Sequence, residues 1–152
     1  MVCPLKRLYL LSEEGDMNNV AVIAVSSYGI RQEALKGFCA SLCMNYADIT
    51  DARGRAAFNI AAAEQIATFV KTLPKELDTL FVSCDSGESR SPAMAAAITR
   101  YKELNDMHIW TNPHYHPNPL VYKKLCAAFG LPVSDKEIAK NSALTEKHFR
   151  IR

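Results

Sequence analysis

The sequence predicts an α/β fold, a central and mainly parallel sheet flanked by helices on both faces. Three observations carry that prediction. Val20-Ala-Val-Ile-Ala-Val25 is an unbroken apolar run of strand length, as a strand buried on both faces requires. Ile60, Ala63, Ala67 and Val70, joined by Ile66, Phe69 and Leu73, recur with helical spacing up to Pro74. A second short apolar run, residues 79–83, leads through a polar loop into the alanine-rich run that starts at Pro92. Strands that alternate with helices in this way build parallel sheets.

Taken in order, Leu5, Leu8 and Tyr9 have helical spacing, while residues 8–11 fit a short strand equally well. Residues 20–25 form a strand, 32–39 a helix and 42–46 a further strand. The helix over 60–73 ends at Pro74, and 79–83 is the strand that feeds the polar loop. Met94, Ala97, Ile98, Tyr101 and Leu104 mark the next helix. Asn118 and Pro119 are good N-cap and first-turn residues for a helix that Gly130 and Pro132 close. Ser134-Asp-Lys-Glu137 is a capping box for a short last helix. The final residues, with Lys147, Arg150 and Arg152, read as a solvated tail. Residues 1–130 are thus expected to form one domain, and 131–152 a short helix and tail.

Composition narrows the function. At 152 residues the chain fits one domain with a real core. Its 49% hydrophobic and 22% charged residues are ordinary for a soluble globular protein. A net charge of +2 gives no case for nucleic-acid binding. No apolar stretch approaches the ~20 residues of a membrane span, and Glu13, Glu14 and Asp16 cut short the early apolar run that a signal peptide would need. The five cysteines (Cys3, Cys39, Cys43, Cys84, Cys126) are odd in number and include no CxxC pair, which points to a reduced, cytoplasmic protein. Cys39 and Cys43, four apart, would share a helix face, and core packing is the expected role of both.

The chemistry concentrates in Cys84-Asp-Ser-Gly-Glu-Ser-Arg-Ser91, between a strand and a helix. Unpaired N–H groups and the helix dipole at such a junction favour an anion. A free thiol, with a pKa of roughly 8.5, is a poor nucleophile at neutral pH. A helix N-terminus and a neighbouring cation make such a thiol ionise far more readily. Cys84 has both influences, the second from Arg90. The guanidinium can also hold two phosphoryl oxygens at once. Gly87 permits positive φ, Ser91 is suited to hydrogen-bond the Cys84 sulfur, and Pro92 suits a first helical turn.

Cys84-x-x-Gly87-x-x-Arg90-Ser91 resembles the signature of the cysteine-dependent protein tyrosine and dual-specificity phosphatases, in particular small bacterial-type members. The resemblance implies their α/β fold, a phosphomonoester hydrolase with a cysteinyl-phosphate intermediate, phosphotyrosine activity by family habit, and no metal or other cofactor. The implied partner is a phosphorylated protein or small phosphoester, not a nucleic acid or a membrane. The implied phosphate-binding set is Asp85, Ser86, Gly87, Glu88, Ser89 and Arg90, with Cys84 as nucleophile and Ser91 assisting. The family's general acid is an Asp upstream, after a strand and before a long helix. Asp48, directly after the expected strand, is the first candidate and Asp51 the alternative. The late Pro117-Asn118 resembles a family segment whose Asn steadies the loop. His114-Tyr-His116 lacks the accompanying Cys or carboxylate cluster of a metal site.

Two departures stand out. Ser83 replaces the His that usually precedes the nucleophile, and that His helps hold the loop. Asp85 and Glu88 add carboxylates to a loop meant for a dianion. These departures keep open a catalytically weak phosphate- or phosphoprotein-binding module on the same fold. A rhodanese-like sulfurtransferase or arsenate reductase, which also use loop cysteines, is a further alternative. The position of Glu88 at the mouth predicts a bias toward substrates with nearby positive charge. Glu88→Ile is therefore expected to move relative kcat/KM toward acidic phosphopeptides. An unchanged ratio between acidic and basic phosphopeptides would remove that role.

Overall fold

A computed structural model describes residues 1–150, so Arg152 of the expected tail lies outside the described residues. The four strands are β1 (Val2–Pro4), β2 (Val20–Ser26), β3 (Ala40–Asn45) and β4 (Thr79–Cys84). They form one fully parallel sheet in the order β1-β4-β2-β3. The helices are α1 (Leu5–Glu14), α2 (Ile60–Thr72), α3 (Arg90–Tyr101), α4 (Met107–Trp110), α5 (Pro119–Ala128) and α6 (Asp135–His148). The predicted α/β class, with helices on both faces of a parallel sheet, is the class observed.

Both faces of β2 are covered, which is why its apolar run is continuous. Ile23 and Val25 point into the larger core with Ile66 and Val70 of α2, Met94 and Ala97 of α3, and Leu125 of α5. Val22 and Ala24 point the other way, against Leu5 and Leu8 of α1 and against Leu35 and Phe38. The alternation follows from the twofold side-chain period of a strand.

Several boundaries differ from the sequence reading. β1 was not predicted, since three residues carry too little periodicity; it pairs in register with residues 82–84 of β4. Residues 8–11, open between helix and strand, are helical in α1. The helix expected over 32–39 is only a 3₁₀ turn, Gln32–Leu35. The chain there must turn into β3 within five residues, and buried Leu35 and Phe38 act as pegs rather than as a helix face. Cys39 is consequently exposed, and Cys43 sits half-buried on β3, so the two do not share a helix face. α3 stops before Leu104. Glu103 adopts φ 59°, and Leu104 N–H donates to Thr99 O while Glu103 N–H donates to Arg100 O, each at 3.0 Å. This paired closure is usually made with glycine, and Gly130 (φ 76°) makes it at the end of α5 with Leu131 N–H to Cys126 O.

Among the described residues, the last helix is longer than the short one expected. α6 runs for 14 residues and includes Lys147, and Ser134 caps it by accepting from Glu137 N–H at 3.1 Å. It buries Asn141 and Thr145, and Thr145 donates to Trp110 O at 3.2 Å. Val133 joins the larger core, and Arg150 N–H reaches back to Pro113 O at 2.9 Å. Among the described residues no helix is long and apolar enough to cross a membrane. Ile66, fully buried between α2 and the sheet, tests the core: Ile66→Ala is expected to cost about 2–5 kcal/mol in denaturant unfolding.

Candidate active site

The carboxyl ends of β2, β3 and β4 lie side by side, as the parallel pairing of β2 with both neighbours dictates. Open α/β sheets bind ligands beyond these ends. Cys84 is the last residue of β4 and Arg90 the first of α3, so residues 85–89 make the turn between them. Gly87 has φ 75°, and a Cβ there would lie 2.8 Å from Pro4 N and 3.0 Å from the Cys3 carbonyl carbon. Only glycine lets this turn pass so close to β1.

Ser89 is the N-cap of α3, yet its side chain makes no capping bond. Its hydroxyl instead donates to Asp48 Oδ1 at 2.9 Å. The first bond of the helix runs from Ala93 N–H to Ser89 O at 3.2 Å. The amides of Arg90 and Ser91 precede it, and Pro92 has none to offer. The helix end is open to an anion.

Cys84 is buried, with Sγ 3.1 Å from Ser91 Oγ. Arg90 is 4% exposed, and its guanidinium is held from three sides. Nη1 donates to Tyr46 O at 2.7 Å and to Ser27 Oγ at 3.0 Å. Nη2 pairs with Asp85 Oδ2 at 2.7 Å. Nε is buried and has no hydrogen-bond partner, alone among the buried side-chain N and O atoms of the described residues. A buried, unpaired donor on a cation is costly, so this atom marks where an acceptor belongs.

Asp85 is fixed by Ser26 Oγ at 2.6 Å and Ser27 N–H at 3.0 Å, besides Arg90. Burial opposes its ionisation, but the bonds from Ser26, Ser27 and Arg90 outweigh it and hold the carboxyl below the usual carboxylate range. Asp48 Oδ1 accepts from both Ser89 Oγ and Asn118 Nδ2, the latter at 2.8 Å. Asp51 instead faces solvent and chelates Arg53, whose hydrogen bonds hold its carboxyl low. Asn118 does four things at once. Its Nδ2 also reaches Ile49 O at 3.2 Å, its Oδ1 caps α5 through Leu120 and Val121 N–H, and its own N–H donates to Ser89 O at 3.2 Å. His116 N–H adds a bond to Glu88 O at 2.7 Å. The imidazole of His116 is turned to Glu146 at 2.7 Å.

Ser83 is buried and donates to Cys3 O at 2.9 Å, tying β4 to β1. Ser86 is exposed and accepts from Glu88 N–H at 3.3 Å. Sequence reasoning missed Ser26, Ser27 and the Tyr46 carbonyl. The available signal was position alone: Ser26 and Ser27 follow directly on the apolar run of β2, at a strand's carboxyl end. Burial pushes the Cys3 thiol up and that of Cys126 to about 12, so neither competes as a thiolate.

Asp85 yields a pH test. Its lowered pKa means that its contribution is complete above the unfolded value of ~3.9 and is lost as pH falls through the folded value. Asp85→Asn is expected to cost about 1.5–3 kcal/mol at pH 7 and to flatten the acid limb of Tm against pH below about pH 4. An identical acid limb in the variant would show that the ion pair contributes nothing.

Compared with known proteins, the chain matches no family model and no curated protein. Among solved structures it aligns with the crystal structure of Tk-PTP in the active form, at 17% sequence identity and a TM-score of 0.48. That alignment covers 96% of this chain and 89% of the other.

Proposed function

We propose that this protein is a phosphomonoesterase of the protein tyrosine or dual-specificity type, acting through a cysteinyl-phosphate intermediate. One observation carries the reading: Cys84 lies at an uncapped helix end beside a buried arginine whose Nε lacks an acceptor. A phosphoryl group meets both needs, since its oxygens accept from Nε–H and from the amides that open α3.

In the first step the Cys84 thiolate forms a bond to phosphorus while the bond to the leaving oxygen breaks. Asp48 gives its proton to that oxygen. Arg90 and the loop amides hold the charge that spreads over the equatorial oxygens. In the second step water attacks phosphorus and Asp48 takes the water's proton. The P–S bond breaks, its electron pair returns to sulfur, and the Ser91 hydroxyl hydrogen-bonds the departing thiolate. The scheme calls for no cofactor. Asp48 is preferred to Asp51 because its carboxylate is bonded to Ser89 and Asn118, at the edge of the loop. The substrate is a phosphorylated protein or small phosphoester, with phosphotyrosine the first to try. A cytoplasmic setting keeps the nucleophile reduced.

Asp85 favours a second reading, a binding module with weak turnover, because its carboxylate already engages Arg90 Nη2. Hydrolysis of p-nitrophenyl phosphate separates the two. The enzyme reading expects vanadate-sensitive turnover that Cys84→Ser abolishes. Asp48→Asn is expected to lower kcat by roughly 10²–10⁴-fold, and Asp51→Asn to leave it within a factor of about two. Turnover that survives Cys84→Ser would sink the mechanism, and absence of turnover in the wild type would favour the module.

A further inference from the structure

The loop between β3 and α2 has a second working end. Ala47 N–H donates to Ala56 O at 2.7 Å, which closes the loop at its base. Asp48 leaves one side of that base toward Ser89 and Asn118. Arg55 leaves the other side, into a cavity of about 310 Å³ beyond the carboxyl end of β3. Asn45, Asn59 and Gln65 line that cavity with Arg55, and Met44 and Ala62 form part of its wall.

The cavity's chemistry has one sign. Arg55 is its only charged lining residue, and Asn45, Asn59 and Gln65 bring amides that can donate, beside Cys43 and Tyr46. Of the loop's other ionic residues, Asp51 and Arg53 form a salt bridge at 2.7 Å, and Asp48 is turned to Ser89 and Asn118. No ion pair engages Arg55 among the described residues. The cavity also meets the start of α2 at Asn59 and Ala62, where the helix dipole favours negative charge.

Its position ties it to Arg90. Tyr46 lines the cavity, and its carbonyl accepts from Arg90 Nη1 at 2.7 Å. The cavity and Arg90 therefore meet at one residue, at the carboxyl end of β3. Resting on the proposed phosphatase reading, we propose that the Arg55 cavity is an accessory subsite that takes an acidic side chain, or a second phosphate, flanking the phosphorylated residue of a peptide substrate. With Glu88 on the loop itself, the mouth is then polar in direction, favouring an acidic neighbour on the β3 side.

The test compares phosphotyrosyl peptides that carry Glu or Ala at each flanking position in turn. At low salt the wild type is expected to favour Glu at one flanking position by roughly two- to fivefold in kcat/KM, the worth of an exposed ion pair. That preference is expected to fade in high salt. Arg55→Lys should keep it, Arg55→Ala should abolish it and Arg55→Glu should invert it. A Glu-to-Ala ratio that stays the same in wild type and Arg55→Glu overturns the subsite. Binding of the same peptides to Cys84→Ser, read by fluorescence anisotropy, keeps the two readings apart. If the wild type does not hydrolyse p-nitrophenyl phosphate but Cys84→Ser prefers the acidic peptide through Arg55, the subsite stands and the enzyme reading falls. If Cys84→Ser binds neither peptide, or binds both equally, the subsite falls.

Discussion

The buried guanidinium of Arg90 is the constraint around which the site is organised. A charge taken out of water costs several kcal/mol unless paired and hydrogen-bonded. Arg90 draws its partners from three separate strand ends: Ser27 beyond β2, the Tyr46 carbonyl beyond β3 and Asp85 beyond β4. Those ends stand together only because β4, β2 and β3 are neighbours and parallel. The sheet order is thus a requirement of the site as much as of the core. Three of the five N–H donors of the guanidinium are met by these bonds, and Nε is the one nitrogen with no partner.

The helical side of the site is built on the same economy. Ser89 gives up the capping of its own helix to hold Asp48, and Asn118 caps its helix while also holding Asp48, Ile49 and the carbonyl of Ser89. A single asparagine thereby joins α5, the acidic loop and the helix that carries Arg90. Behind it, Glu146 of α6 and Arg150 just beyond that helix hold the 113–116 stretch. Force applied to the C-terminal helix has a short path to the loop.

The sequence made the strands that are buried on both faces and the long amphipathic helix plain, because their patterns are set by local periodicity. It also exposed the Cys84–Ser91 segment, where spacing alone implies a strand–turn–helix junction. The edges of the structure were hidden. β1 is too short to show a period, and the 3₁₀ turn at 32–35 shares its apolar spacing with a helix. Glu103 makes a left-handed closure that a reader expects of glycine. Ser27 and a backbone carbonyl, which hold Arg90, and Ser26, which holds Asp85, come from distant segments, and an oxygen of the main chain has no signature in any sequence. Asp48 and Asp51 stand only three residues apart, and what separates their surroundings is spatial: Arg53 pairs with Asp51, while Ser89 and Asn118 bond Asp48.

The closed base of the 47–56 loop, and the bonds to Asp48 beside it, bear on motion. Ala47 and Ala56 pin its ends, and Ser89 and Asn118 hold the carboxylate near its start. In the proposed mechanism, an acid mounted this way needs no flap to swing it into place. On the proposed chemistry, the slow step then belongs to bond-making or product departure rather than to a lid. The turnover of such a site should feel the viscosity of its solvent through the diffusion of substrate and product alone.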